Sequence, residues 1–325
     1  MAHELAGKAG QGALTGLLKG LKGFFWMLRI LVPVSFGTSV LAWSGLLETV
    51  SGFLAPVMGV LHLPGIAALP LVIGGAAGIY GGLAAMASLP LTTAQATLVA
   101  VFLLMAHNLI LEGIVQGRSG INAVAVTVFR IASAAITTFV CGFFLGGPAG
   151  SAASAASIAA AGTAAAASRA PFFVFLGGWA LSTLRLAGKI LLIIMALLVA
   201  LETLKSLGWI RHVVRALRPV LRVLGLEEQA GYMWTAAAIF GLTYCAAIIV
   251  EEARAGTLDR RDLVKLNLSI SINHSVVEDP LLFMAAGVGA FWLFVPRLAF
   301  AILAVRLLSL WKGNRTPGPR STPPA

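Results

Sequence analysis

Apolar stretches of spanning length recur along nearly the whole chain, separated by short segments where charge, glycine or proline collect. About 20 consecutive apolar residues cross a bilayer core. By that measure the first half holds spans at residues 24–47, 66–89, 94–115 and 121–145. A weaker stretch at 50–63 is short and broken by Pro56, and reads as an interfacial or re-entrant helix. The second half holds spans at 184–204, 231–250, 266–288 and 291–310. The pattern predicts an all-α polytopic membrane protein with about eight transmembrane helices plus interfacial or re-entrant helices.

The remaining segments have other characters. Residues 1–23 read as an amphipathic lead-in without the short apolar core and small-residue cleavage site of a secretory signal. Residues 146–183 form a linker that begins with an Ala/Ser/Gly-rich run of low complexity. The run GWIRHVVRALRPVLRVLGL places Arg211, Arg215, Arg218 and Arg222 at spacings of three and four, hence on one helical face. Such a helix lies in the headgroup region and does not span. Residues 313–325 are expected to be disordered.

Composition agrees with the pattern. Apolar residues make up 59% of the chain and charged residues 11%, and the mean hydropathy is +0.94. The formal charge of +11 sits mostly in loops and ends. Basic loops follow from the positive-inside rule and anionic lipid, and no basic stripe interleaved with aromatics suggests nucleic acid. The two cysteines, Cys141 and Cys245, fall in apolar segments as packing residues and make no Cys/His zinc pattern.

The halves can be laid over each other. LLMAHNLILEG matches ISINHSVVEDP, pairing His107 with His274 and Glu112 with Asp279; at the same offset Arg130 pairs with Arg297. With a short gap Tyr80 pairs with Tyr244, and Pro56 with Pro219. Three ionisable pairs at one offset, in a chain so poor in charge, define two diverged repeats at residues 24–145 and 184–312. Duplicated helical units with a site at their interface are a recurring transporter architecture. The basic helix around 211–222 has a nearly neutral counterpart at 50–63, which suits inverted copies; four spans per half suit parallel ones. Both orientations stay open at this level.

Candidate chemistry concentrates in the repeat. Arg130 and Arg297 lie near the middle of apolar segments, where an ionisable group costs about 2.5 kcal/mol or more. Each therefore either locks helices by pairing with a carboxylate or binds a polar substrate. Their obvious partners are Glu112, Glu278 and Asp279. His274 and Glu278, four apart, would share a helix face, whereas His107 and Glu112, five apart, would splay on a regular helix. Gly113 and Pro280 follow at once, so HNLILEG and NHSVVEDP read as broken helices lining a polar cavity. Asn108, Asn273 and Ser275 add neutral donors and acceptors. The substrate-binding set is thus His107, Asn108, Glu112, Arg130, Asn273, His274, Ser275, Glu278, Asp279 and Arg297. A divalent metal would find candidate ligands in His107, Glu112, His274 and Glu278. The polar residues Asn267, Ser269, Ser271 and Asn273, at every second position, are candidates to line a passage. No HExxH, Walker or GxSxG motif supports an enzyme or ATP-driven transport within the chain, and the sequence leaves any cofactor unknown.

On MAHNLILEGIVQGRSG, GLTYCAAIIVEEARAG with LDRRDLVKLN, and INHSVVEDPLLF, the chain resembles the nucleoside recognition, or Gate-domain, membrane proteins. The resemblance covers roughly residues 25–310. Within that family it is most similar to small stand-alone members akin to spore maturation proteins, and related Gate segments occur in ferrous iron transporters and concentrative nucleoside transporters. It implies a two-Gate, transporter-like core in a multi-pass protein of the cell membrane, a bacterial inner membrane, with no nucleoside specified. The GTPase domain of ferrous iron transporters has no counterpart here. The resulting expectation is a transporter or channel-like protein for a small polar solute or cation, bound near mid-membrane between the repeats. The rival is a non-transporting scaffold or assembly factor whose polar pairs only lock helices. Partners are the lipid bilayer, the solute, and a second copy or a paralogous membrane protein.

Overall fold

The computed structural model describes residues 2–145, 171–226, 228–256 and 258–313, and every regular element among them is helical. In the first half these are α1 (Ala2–Trp43), α2 (Leu46–Val60), α3 (Ala68–Ala77), α4 (Ile79–Ala87), α5 (Thr93–Ala106), α6 (Leu109–Arg118) and α7 (Ala123–Leu145). In the second they are α8 (Phe172–Ser206), α9 (Ile210–Val223), α10 (Glu228–Phe240), α11 (Leu242–Ala255), α12 (Arg260–Asn273), α13 (Glu278–Ala285) and α14 (Ala290–Gly313). The protein is an all-α polytopic membrane protein.

The second set repeats the first element by element, down to backbone torsions. Thr92 caps the start of α5 by accepting from the Gln95 amide, and Asp259 caps α12 by accepting from the Asp262 amide. Both helices stop on a histidine in extended conformation, His107 at φ −91°, ψ 162° and His274 at φ −89°, ψ 162°. The next residue is left-handed in both copies, Asn108 at φ 50° and Ser275 at φ 48°. These pairs are separated by 167 residues, the sequence separation of the two histidines. Upstream the register shifts by four: Gly78 (φ 88°, ψ −178°) matches Gly241 (φ 81°, ψ 159°). That register puts Thr243, and not Tyr244, opposite Tyr80.

Those two glycines correct the span assignment. Residues 66–89 are apolar enough for one crossing, yet α3 and α4 fold back on each other at Gly78. A Cβ added at Gly82 would lie 3.1 Å from the Gly74 Cα and 3.3 Å from the Pro70 carbonyl oxygen. In a continuous helix residues eight apart lie about 12 Å apart. The segment is therefore a helical hairpin whose two arms touch through glycine. Gly78 makes the turn with a torsion pair that side chains rarely adopt. At the matching glycine, Gly241, α10 and α11 also pack against each other. Residues 66–89 and 231–250 are thus hairpins, and the expectation of about eight straight spans falls.

Five described helical stretches are long and apolar enough to cross a bilayer, or six with the bent pair Ser51–Val60 and Gly65–Ala77. They include Ala6–Trp43, Thr93–Arg118, Ala123–Leu145, Phe172–Ser206 and Ala290–Leu307. The counterpart of Thr93–Arg118, α12 with α13, is missing from that set. Its Asn267, Ser269, Ser271 and Asn273 lower its hydropathy, and all four are buried against protein.

The matching helices α1 and α8 pack together antiparallel. Gly12 approaches Thr203 and Ser206, Gly16 approaches Val199, and Gly20 approaches Met195. Farther on, the Ser35 hydroxyl lies 3.0 Å from that of Thr183, and Trp43 stacks on Phe175 at 5.6 Å. Numbers rise along one helix as they fall along the other. Equivalent helices in opposite directions mean that the halves are related by an axis lying across the helices: they are inverted copies. The glycines at 12, 16 and 20 recur every fourth position and let the backbones close up, as small residues do between membrane helices. The expected lead-in over 1–23 is continuous with the first span, because α1 begins at Ala2. On the other side of the linker, α8 begins at Phe172, so residues 172–183 belong to a helix; the Ala/Ser/Gly-rich run at 146–170 and the tail from 314 lie outside the described residues.

Candidate functional site

Two broken helices meet at the centre of the molecule. In each half a helix ends on a histidine, the chain takes one extended and one left-handed residue, and a short helix starts again. The hairpin tips close on these breaks. The Asn108 amide donates to the Gly74 carbonyl at 3.0 Å, and the Ser275 amide donates to the Ala237 carbonyl at 3.2 Å. A Cβ added at Gly78 would lie 3.9 Å from the Asn108 side chain, and one at Gly241 would lie 3.9 Å from that of Ser275. A side chain at either glycine would fit beside the break but strain the turn, since both have φ above +80°.

The arginines hold the breaks open. Breaking a helix leaves carbonyls without intrahelical partners. Arg130 Nε donates to the Met105 carbonyl at 3.1 Å and Nη2 to the His107 carbonyl at 2.8 Å. Arg297 repeats this, Nε donating to the Ile272 carbonyl at 2.6 Å and Nη2 to the His274 carbonyl. A cation at the C-terminal end of a helix also opposes the helix dipole. Arg130 is wholly buried and Arg297 nearly so. The copies then diverge: Arg130 Nη1 lies 2.8 Å from Glu112 Oε2, while among the described residues no carboxylate is within 4.0 Å of Arg297.

Histidines and carboxylates fill the space between the arginines. His107 Nε2 and His274 Nε2 face each other at 3.2 Å. Each ring is fixed from behind, Nδ1 of His107 lying 2.8 Å from the Leu103 carbonyl and Nδ1 of His274 lying 3.0 Å from the Ile270 carbonyl. Glu112 Oε1 is 3.5 Å from His107 Nε2 and 3.2 Å from His274 Nε2. Asp279 Oδ2 is 3.5 Å from His107 Nε2. Both carboxylates stand in the first turn of their helices, α6 and α13, where the dipole favours negative charge. None of His107, Glu112, Arg130, His274, Asp279 or Arg297 is more than 5% exposed. The cluster is closed to solvent in this conformation.

Of the ten residues expected at the site, these six converge. His107 and Glu112 meet although five apart, because the break between them resets the helical phase. Glu278 departs from expectation. It does not share a helix with His274, since α12 ends at Asn273 and α13 begins at Glu278. Its Oε1 instead accepts a hydrogen bond from the Tyr80 hydroxyl on the first hairpin, and Asp279 takes the place beside the histidines. Asn108 and Ser275 act through their left-handed backbones. Asn273 is buried, and its Nδ2 has no hydrogen-bond partner among the described residues. The expected passage lining is also revised. Asn267 accepts from Ser119 at 3.2 Å and, through its carbonyl, from Gln116 at 3.1 Å; Ser269 accepts from Trp234 Nε1 at 2.8 Å. These groups tie α12 to α6 and α10. Sequence reasoning missed Tyr80 as a partner of Glu278, and missed the carbonyls that the arginines hold.

Among known proteins, the chain is 27% identical over 307 residues to the uncharacterized membrane protein YvoD of Bacillus subtilis (strain 168). The match covers 92% of this chain and 95% of that relative. No protein-family model matches the chain, and no solved structure matches it significantly. Together with the spanning helices, the relative supports a multi-pass location in a membrane.

Proposed function

We propose that the protein is a transporter that carries a small polar solute or cation through a site between its two inverted halves. The observation that carries this reading is the meeting of His107 with His274 at the facing breaks of two helices. Six ionisable side chains are drawn from both halves and buried together there. Burying so many charges is costly for a bundle that has only to hold itself together, whereas broken helices at a repeat interface are where transporters bind their ligands. The hairpins are the natural moving parts. Each meets its break through a backbone hydrogen bond, to the carbonyl of Gly74 or of Ala237, and such small residues let the tip shift without repacking large side chains. The resemblance to Gate-domain proteins supports the same architecture, and nucleosides are one solute class to try.

One observation favours the scaffold reading. Each arginine spends two nitrogens on backbone carbonyls, a locking role that needs no solute. Purified protein in proteoliposomes separates the readings. Uptake of labelled nucleosides, divalent cations and organic anions is measured for the wild type and for His107→Ala and His274→Ala. The transporter reading expects a solute to enter faster than into protein-free vesicles, with both variants losing that excess. Flux unchanged in both variants, or no flux above background for any of these solutes, favours the scaffold.

A further inference from the structure

The histidine pair has an unusual feature: its hydrogen bonding fixes which ring nitrogens are bare. A backbone carbonyl only accepts, so Nδ1 of His107, at 2.8 Å from the Leu103 oxygen, carries the proton of its ring. Nδ1 of His274, at 3.0 Å from the Ile270 oxygen, does the same. In the neutral rings both Nε2 atoms are then acceptors, and they point at each other across 3.2 Å. When ionised, the nearest carboxylates, through Glu112 Oε1 and Asp279 Oδ2, are acceptors too. Asp279 is 3% exposed, and its Oδ2 has no hydrogen-bond partner among the described residues. Four lone-pair atoms thus converge in a buried space with no donor among them. Something positive belongs there.

From this arrangement we propose that His107, His274, Asp279 and Glu112 form a binding site for one divalent transition-metal ion. The proposal rests on the transporter reading of the same cluster and gives it a ligand class. The separations suit an ion better than a set of shared protons. The two nitrogens and the Asp279 oxygen all lie within 4.8 Å of one another. Contacts of 3.2–3.5 Å are long for charge-assisted hydrogen bonds, which run about 2.7–2.9 Å. Two ligands held about 2.0–2.2 Å from a tetrahedral ion sit about 3.3–3.6 Å apart.

The surroundings also match a metal site. A ligating imidazole ordinarily donates its other N–H to a carbonyl or carboxylate, which fixes its tautomer and its aim; both histidines do so here. Glu112 turns Oε1 to the histidines while Arg130 holds Oε2 at 2.8 Å. The ligand set is two neutral imidazoles and two carboxylates, of which Glu112 also faces Arg130. Mixed nitrogen and oxygen donors favour ions of the zinc, iron(II), cobalt, nickel and manganese group over calcium or magnesium, which prefer oxygen alone. Glu278, a candidate ligand by its sequence position, is replaced by Asp279.

The test uses the full chain in detergent, stripped of metal and titrated with Zn²⁺, Mn²⁺ or Mg²⁺ by calorimetry, with bound metal measured after desalting. X-ray absorption on the zinc-loaded protein reads the ligands. The expected result is one Zn²⁺ or Mn²⁺ per chain, no competition from Mg²⁺, and two imidazoles at about 2.0–2.1 Å from zinc. His107→Gln, His274→Gln and Asp279→Asn should each weaken binding about 100-fold or more, given that even outer-shell changes cost 10–100-fold. His62→Gln, on a histidine packed between Phe139 and Phe143, should leave it unchanged. Circular dichroism and gel filtration confirm that each variant folds, and Asp279→Asn retains both rings should a histidine variant fail. No stoichiometric ion, an ion without imidazole ligands, or binding indifferent to these changes overturns the site. Binding without any flux would leave the site standing and remove the transporter reading.

Discussion

Replacing Arg130 by methionine should be among the most destabilising single changes in the protein. The side chain is fully buried, and methionine keeps much of its length without the charge. Three contacts go: Nε to the Met105 carbonyl at 3.1 Å, Nη2 to the His107 carbonyl at 2.8 Å, and Nη1 to Glu112 at 2.8 Å. A buried acceptor that loses its partner costs about 1–3 kcal/mol, and breaking a buried ion pair from one side costs about 3–5 kcal/mol. These costs overlap, so the expected loss is about 3–5 kcal/mol. Arg297→Met loses the two equivalent carbonyl contacts but no carboxylate within 4.0 Å, which points to a smaller loss of about 1–3 kcal/mol. Adding Glu112→Gln to Arg130→Met removes the stranded charge and should recover about 1 kcal/mol or more against additivity. Equilibrium unfolding in mixed micelles of rising SDS fraction, followed by circular dichroism, gives these values, with Glu112→Gln alone measured to complete the additivity comparison. An Arg130→Met cost under about 1 kcal/mol, or equal costs for the two arginines, would refute the reasoning that Arg130 holds both the helix break and Glu112.

The packing of the halves gives two further tests. Gly16→Val should destabilise the fold by about 1–3 kcal/mol in the same titration, because its Cβ would sit 2.5 Å from the Val199 Cα, which cannot rotate away; Gly23→Val, with open space around it, should be near neutral. With Cys141 and Cys245 replaced by alanine, Ser35→Cys with Thr183→Cys should cross-link under mild oxidation, since the two hydroxyls lie 3.0 Å apart. Cross-linking of Ser35→Cys with Ser206→Cys instead would contradict the antiparallel packing of α1 and α8.

Much of the site was readable in the sequence because ionisable residues are so rare in it. Arg130, Arg297, His107, His274, Glu112 and Asp279 stand out against an apolar background, and their shared offset marks the repeat. The helix breaks were readable from the same segments, since no regular helix brings together residues five apart. The hairpins were not. Hydropathy averages along the chain and is blind to its direction, so residues 66–89 look the same whether they cross or turn back. Only Gly78, and the glycines at 74 and 82 where the arms touch, carry the turn. Counting those hairpins as spans gave an even number per half and left the orientation open. Asp279 and Glu278 were likewise indistinguishable by spacing, because the break after Asn273 removes the helical phase that spacing relies on. The role of the arginines at backbone carbonyls has no side-chain pattern at all; it follows from the break itself.

The account depends on the halves being inverted, so that both histidines meet at one axis. Phe53 on α2 and Ala216 on α9 occupy equivalent positions at the 163-residue offset, and both are exposed, Phe53 by 84%. In a chain freed of its two native cysteines, Phe53→Cys and Ala216→Cys are made separately and labelled in sealed vesicles of one orientation with a membrane-impermeant maleimide. The account predicts that one site is labelled from outside and the other only after the vesicles are opened. Labelling of both from the same side would contradict it.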